Sequence, residues 1–251
     1  MFSKKDGNTH EEKIKKSRRF TSAVVLCAGV GNRFSENGIK KQNVLICGVP
    51  VAVRTLLAFE KAQTVDEVVV VVHEDDKELY AGYCVKYPLS KVSQIVCGGD
   101  TRRESSLRGF DAIDDRAEYV MIHDGARCLV TPEIIDRTAF EAYACGAAAA
   151  AEKSRDTVKI ADSEGYIENT VDRERVWLVK TPQVFLANMY RAAAYMAKKD
   201  GVFVTDDCMM AERLGFKIKL VECGFQNLKI TYPEDIEIAE AILKSREGTK
   251  P

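Results

Sequence analysis

Six short apolar runs recur along the chain, and between them the hydrophobic pattern changes from continuous to helical. The runs are Ala23 to Cys27, Glu67 to Val72, Gln94 to Cys97, Tyr119 to His123, Ala147 to Ala151 and Lys217 to Val221. Helix-period segments lie at about 50 to 63, 75 to 86, 102 to 113, 132 to 144, 187 to 199, 206 to 214 and 233 to 245. A strand that is apolar on both faces needs cover on both faces, and helical crossovers supply it. The pattern predicts an α/β domain whose mostly parallel sheet is sandwiched by helices. Two helix starts are well marked, since Thr131-Pro132-Glu133 and Thr231-Tyr232-Pro233-Glu234-Asp235 put proline and acids in a first turn.

Residues 152 to 185 break this rhythm. Thr157-Val158-Lys159-Ile160 and Tyr166-Ile167 flank Ala161-Asp162-Ser163-Glu164-Gly165, which predicts a hairpin, with Val176-Trp177-Leu178-Val179 continuing it. An inserted hairpin of this kind reads as a β-arm. Its apolar residues, including the single tryptophan, would be costly to leave in water, so a partner subunit is expected to cover them.

With 46% hydrophobic residues in 251, the chain can bury one substantial core. The expected organisation is a charged extension at 1–20 and a single domain at 21–251. A net charge of −1 argues against a nucleic-acid-coating protein, so any anion binding must come from local placement of Lys and Arg. The eight cysteines lack the two-residue spacing of zinc knuckles or redox motifs and read as reduced thiols. Neither a signal peptide nor a membrane span is recognisable, and a cytoplasmic protein is expected.

In an open parallel sheet, ligands gather where strands end. The first strand runs into Ala28-Gly29-Val30-Gly31-Asn32-Arg33, followed by Lys41-Gln42. A dinucleotide fingerprint would need a glycine at Phe34, and a P-loop would need Gly-Lys-Ser/Thr in place of Asn32-Arg33-Phe34. What remains is a loop whose Gly29 and Gly31 can turn backbone amides towards an anion, with Arg33 and Lys41 adding charge. The strand ending at Cys97 leads to Gly98-Gly99-Asp100-Thr101-Arg102-Arg103-Glu104-Ser105, a glycine turn entering a helix, where free amides, Arg102 and the Ser105 hydroxyl could take a base or phosphate.

The strand ending at His123 leads to Asp124-Gly125-Ala126-Arg127. A carboxylate at that place is a candidate ligand for Mg²⁺, and Arg127 a candidate for a second anionic group. His123 could be a ligand too, but reads better as a neighbouring aromatic that orients Asp124. Lys229 stands just before the last helix. Several cations around one carboxylate, with no Gly-x-Ser-x-Gly nucleophile elbow, suit phosphoryl or nucleotidyl transfer by positioning and charge stabilisation.

In their order along the chain, these motifs, with Arg155-Asp156-Thr157, Thr170-Val171-Asp172-Arg173, Thr181-Pro182-Gln183 and Asn227-Leu228-Lys229, resemble the 2-C-methyl-D-erythritol 4-phosphate cytidylyltransferases over about residues 21 to 245. The resemblance implies a Rossmann-like domain of the nucleotide-diphospho-sugar transferase type, carrying a β-arm at about 152–185 that forms a homodimer. It implies that CTP and a polyol phosphate react with Mg²⁺ or another divalent cation, giving a CDP-linked alcohol and pyrophosphate. Arg33 and Lys41 match the family's catalytic pair. Cys27, Ala28, Gly29, Gly31, Gly99, Asp100, Arg102 and Ser105 would hold CTP, and Asp124 the metal. Arg127 and Lys229 would hold the second substrate, with Thr157, Arg173 and Thr181 reaching in from the neighbouring subunit. Departures from the family's pattern are Cys27, Ile39-Lys40 and Cys128, and the extra residue before Lys41 leaves Lys40 as an alternative to it. The competing readings are a ribitol 5-phosphate cytidylyltransferase and a catalytically silent nucleotide-binding subunit.

Overall fold

The computed structural model describes residues 19–29, 34 and 40–248. The first half contains β1 (Thr21–Leu26), β2 (Leu45–Ile46), β3 (Val49–Pro50), α1 (Val51–Lys61), β4 (Glu67–Val72), α2 (Lys77–Lys86), β5 (Val92–Cys97), α3 (Arg102–Phe110) and β6 (Tyr119–Asp124). The second half contains α4 (Pro132–Cys145), β7 (Ala147–Lys153), β8 (Lys159–Ala161), β9 (Ile167–Thr170), β10 (Trp177–Leu186), α5 (Ala187–Lys199), α6 (Asp207–Arg213), β11 (Lys219–Glu222) and α7 (Glu234–Gly248). Most of the charged extension expected at 1–20, together with Gly31 and Arg33, lies outside the described residues.

The main sheet has the order β11-β7-β10-β6-β1-β4-β5. All neighbours are parallel except β10, which runs antiparallel to both β6 and β7. In β4, Val68 to Val72 are each at most 1% exposed, and burying a valine contributes roughly 1.5–3 kcal/mol before entropy is counted. That valine run needs helices on both of its faces. Val68 and Val70 belong to one core cluster with Leu56 and Phe59 of α1, whereas Val71 packs in a second with Leu107 and Phe110 of α3.

Alanine favours helix, yet Ala147 to Ala151 form the strand β7 with no exposed surface. Helix α4 is ended by Gly146 at φ 93°, a left-handed turn that glycine adopts at little cost. The chain then enters a slot between β10 and β11, and the ladder hydrogen bonds override local preference. Short side chains let helices approach both faces: Ala148 packs in the cluster of Ile135 and Ala139, Ala147 and Ala149 in that of Phe185 and Tyr190.

One expectation needs correction. Val176 to Val179 do not continue the hairpin; residues from Trp177 onward open β10, a long strand in the middle of the main sheet. Pro182 hides this strand from sequence reading, because proline cannot donate to a ladder. The ladder accommodates it with a register shift between Val179 and Gln183, within which Thr181-Pro182 is a cis peptide. The hairpin itself is β8 and β9, paired antiparallel with each other and outside the main sheet.

Candidate active site

The carboxyl ends of β1, β4, β5 and β6 open on a cavity of about 400 Å³, within the usual range for small-molecule sites. Ala28, Gly29, Lys41, Gln42 and His73 line one side. Gly99, Asp100, Arg102 and Ser105 line another, with Asp124 and Lys229 also facing the cavity.

Gln42 explains how the first loop is held. Its buried amide donates to the carbonyls of Gly29 at 2.8 Å and Cys27 at 3.2 Å, stapling the strand end to the 3₁₀ turn Lys41–Asn43. The two adjacent lysines then diverge. Lys40 Nζ pairs with Asp76 at 2.8 Å, away from the cavity that Lys41 lines. Cys27 is 1% exposed and does not line the cavity. Its amide donates to the Val71 carbonyl at 2.6 Å, its carbonyl accepts from Gln42, and burial pushes its thiol up to about 12. It therefore holds the strand end and does not meet a ligand, contrary to the expectation from sequence.

The second glycine turn is tighter and more self-contained than expected. A Cβ on Gly98 would stand 2.5 Å from that of Ala28, and one on Gly99 would stand 2.5 Å from Glu104 Cβ, so both positions require glycine for the close approach. The amides expected to be free are in part already satisfied. Gly99 donates to Ser105 Oγ at 3.1 Å, Asp100 to Glu104 Oε2 at 2.9 Å, and Glu104 to Thr101 Oγ1 at 3.1 Å, much as in a capping box. Ser105 therefore shapes the turn while it lines the cavity.

Charge converges on Asp124, the last residue of β6. Its carboxylate meets Lys229 Nζ at 3.0 Å and the Nε atoms of Arg102 and Arg127, each at 3.4 Å. Burial alone would push its pKa up, but attraction by Lys229, then Arg102 and Arg127, overcomes this and holds the carboxyl well below the usual range. Arg127 also donates to the carbonyl of Asn227 at 3.1 Å. Arg102 is gripped a second time by buried Asp207 at 2.6 Å, itself held by the Tyr190 hydroxyl at 2.8 Å. Burial would lower the Arg102 pKa; Asp207 and Asp124 raise it, so the guanidinium stays charged. These three cations against two carboxylates leave a positive surplus, to which Lys41 adds.

Besides that of Cys27, two predicted roles change. His123 neither faces the cavity nor orients Asp124: successive strand residues point to opposite faces, and its ring is fully buried against Phe59 at 5.0 Å between centroids. Burial pushes its pKa down to about 3. Thr181 is 3% exposed, and its hydroxyl accepts the Asp124 amide at 3.0 Å, so it supports its own chain's site and cannot reach into a neighbour's. Thr157 and Arg173 stand exposed on the arm and do not line the cavity.

Four further residues were not singled out from sequence. Gln42 was legible as half of Lys-Gln but carried no assigned role, and His73 as the residue after a strand. Asp207, in Thr205-Asp206-Asp207, reads as an ordinary acidic helix start. Asn227, fully buried, donates to the Thr181 carbonyl at 2.9 Å.

The donor set tests the metal expectation. Among the described residues no group of three or more His, Cys, Asp or Glu side chains could hold an ion, and Asp124 is a single carboxylate among cations. Such a site fits Mg²⁺ that arrives on a triphosphate and keeps phosphate and water ligands, not an ion resident in the protein.

A family model described as IspD, 2-C-methyl-D-erythritol 4-phosphate cytidylyltransferase, matches residues 21–245. A protein of that description from Syntrophus aciditrophicus (strain SB) is 40% identical over 227 residues, covering 90% of this chain and 97% of the relative. Another from Caldanaerobacter subterraneus subsp. tengcongensis is 39% identical over 228 residues, covering 89% and 98%. Among solved structures, a 4-diphosphocytidyl-2C-methyl-D-erythritol synthase from Anaerococcus prevotii superposes with a TM-score of 0.81 at 31% identity, covering 90% of this chain and 96% of that one.

Proposed function

The chain belongs to the 2-C-methyl-D-erythritol 4-phosphate cytidylyltransferase family, and from that premise we infer how its own residues divide the work. The protein is a nucleotidyltransferase that joins CTP to 2-C-methyl-D-erythritol 4-phosphate, giving the CDP-linked alcohol and pyrophosphate in non-mevalonate isoprenoid synthesis. The acceptor's phosphate is already an anion near pH 7. Its oxygen attacks the α-phosphorus of CTP, the bond to the β-phosphate oxygen breaks, and pyrophosphate leaves with that electron pair. No protein base is needed, so catalysis rests on orientation and charge.

In this reading Lys41 faces the triphosphate and stabilises the charge that builds on the pentavalent centre and leaving group. Arg33, outside the described residues, is proposed as its partner. Lys41 is preferred to Lys40 because the ion pair with Asp76 turns Lys40 away. Gly29 and Ala28 border the nucleotide, with Cys27 buried next to them, and Gly31, also outside the described residues, is proposed to extend that border. The close-packed Gly98-Gly99 turn, with Asp100 and Ser105, forms a backbone wall narrow enough for a pyrimidine. Arg102 gives this wall its charge.

Mg²⁺ bound with the triphosphate would reduce repulsion between the two reacting anions, with Asp124 as its protein ligand. Lys229 and Arg127 then grip the acceptor's phosphate. The observation that carries the reading is the Asp124 cluster, where three cations converge on one carboxylate at a strand end.

The arm supports a homodimer as part of the proposal. Ile160, Tyr166 and Ile167 of the hairpin are exposed, as is Leu178 near the start of β10, an apolar surface that calls for a partner. Thr157 and Arg173 would then complete the neighbour's acceptor site. Free thiols and highly charged substrates agree with a cytoplasmic setting, and no helix among the described residues is long and apolar enough to cross a membrane.

Pyrophosphate release from CTP with Mg²⁺, measured with methylerythritol phosphate and with ribitol 5-phosphate in parallel, tests the assignment. Release with methylerythritol phosphate is expected. Release with ribitol 5-phosphate alone would shift the acceptor, and none with either would make the chain a silent nucleotide-binding subunit.

A further inference from the structure

Lys180 lies where a lysine is expensive, in the bulge of β10 with 8% of its surface exposed. All three ammonium donors are used: Nζ meets Glu152 Oε2 at 2.7 Å, the Gly224 carbonyl at 3.2 Å and the Phe225 carbonyl at 3.4 Å. Two of these acceptors belong to a strap, residues 223–230, that leaves β11 and bonds in turn to β7, to the bulge of β10 and to the turn after β6. The strap is pinned at its start by the Cys223 amide on the Ala151 carbonyl at 2.8 Å, and at its end by the Ile230 amide on the Ala126 carbonyl at 2.9 Å. Between these, Asn227 holds the Thr181 carbonyl at 2.9 Å, and Lys180 holds the turn at Gly224, where φ is +67°. Lys229 rides on the same strap and reaches Asp124 at 3.0 Å.

Glu152, the anchor of this arrangement, stands in β7 where the arm begins. Its other oxygen is 3.6 Å from Arg155 Nε, and the Arg155 guanidinium covers the Phe225 ring at 4.5 Å. The strap's free turn is thus gripped from below by Lys180 and from the side by Arg155. Such a buried ion pair is weak evidence for stability, because desolvation offsets much of the attraction. Its placement argues for geometry instead.

We propose that Lys180 is a positioning residue for the acceptor: by tying the strap at Gly224 and Phe225 to Glu152, it holds Lys229 in place and sets the affinity for the polyol phosphate. The proposal rests on Lys229 gripping that phosphate. The test is steady-state kinetics of the full-length enzyme with both substrates varied, for Lys180→Met, Glu152→Gln and Lys229→Ala, with thermal unfolding of each. Lys180→Met is expected to raise KM for methylerythritol phosphate about tenfold, with KM for CTP within about twofold and kcat little changed, the signature of lost uniform binding. Glu152→Gln keeps a hydrogen-bonding partner without the charge and should give the same split in weaker form; it decides the matter if Lys180→Met does not fold. If KM for both substrates moves together, or only the melting temperature falls, Lys180 is merely structural and the proposal fails. Should Lys229→Ala raise the acceptor KM while neither Lys180→Met nor Glu152→Gln does, this proposal alone is overturned; if Lys229→Ala leaves that KM unchanged, the assignment of Lys229 falls and takes the proposal with it.

Discussion

The Asp124 cluster and the β8-β9 arm are opposites in how their side chains are held. Around Asp124, side chains from β6, α3, α6 and the 223–230 strap interlock in one chain, and both Asp124 and Asp207 are buried. On the arm every residue of β8 and β9 is exposed, apolar Ile160 and Ile167 included. The cluster is preorganised before any ligand arrives, so little reorganisation is left for the reaction itself. By contrast, β8 and β9 pair only with each other among the described residues and bury none of their side chains. The cluster and its neighbouring loop therefore carry the chemistry within one chain, whereas the arm, on the proposed reading, joins two chains and lends Thr157 and Arg173 to the neighbour's site.

The largest effect that would sharpen this division is expected at the loop beside the cluster. Lys41→Ala should lower kcat by about 10²- to 10³-fold, the scale of losing one donor that stabilises transition-state charge, with the melting temperature nearly unchanged. Lys40→Ala should lower it far less, because its ion pair with Asp76 anchors the loop from outside the cavity. Pre-steady-state kinetics on the two variants measures this directly. An inverted ranking would move the catalytic role to Lys40.

A mixing experiment presses on the arm. Arg173→Ala should weaken turnover by removing a cation from the neighbour's site, while Lys41→Ala disables a chain's own. If the arm crosses between subunits, co-refolding the two impaired variants yields mixed dimers in which one site has both Lys41 and an intact Arg173. Activity should then rise well above either parent. A mixture no more active than its parents would return the arm to its own chain and remove the contrast with the cluster.

How much of this was legible in sequence divides along the same line. Apolar runs and helix periods place β1, β4, β6 and β7, since burial on both faces leaves a pattern that local context cannot disguise. Strand β5, an edge strand with no fully buried residue, shows in sequence only at its apolar end from Gln94 to Cys97. Lys41, Arg102, Asp124 and Lys229 are legible because the ends of parallel strands are where polar residues gain ligands. Strand β10 is not, because Pro182 argues against a central strand and only the bulge makes it admissible. Residues acting through another residue leave no periodic trace either. Asp207 looks like a helix start, Lys180 like a surface charge, and Thr181 like part of the arm, until the fold brings each beneath the site. His123 misled for the reverse reason: adjacency to Asp124 in sequence means opposite faces in a strand.

That same ring supports the smallest effect, on stability rather than rate. Buried against Phe59, His123 has its pKa lowered from 6.5 to about 3, chiefly by desolvation. Between those values the unfolded chain binds a proton that the folded chain does not, so stability is greatest above pH 6.5 and falls as the pH drops through the window. The slope should approach roughly 1.4 kcal/mol per pH unit towards pH 4.5. Asp124, with its depressed pKa, adds its own loss only below the ordinary carboxylate range, which leaves the interval from about 6 to 4.5 to the histidine. Urea unfolding of the wild type and His123→Leu at pH 7.5, 6 and 5 isolates the effect. The leucine variant should lose less stability on acidification, and its kcat at pH 7.5 should stay near wild type because the ring faces away from the cavity. Equal acid sensitivity in the two proteins would mean that another group carries the titration, and a collapse of kcat would show that the underside of β6 is coupled to the cluster after all.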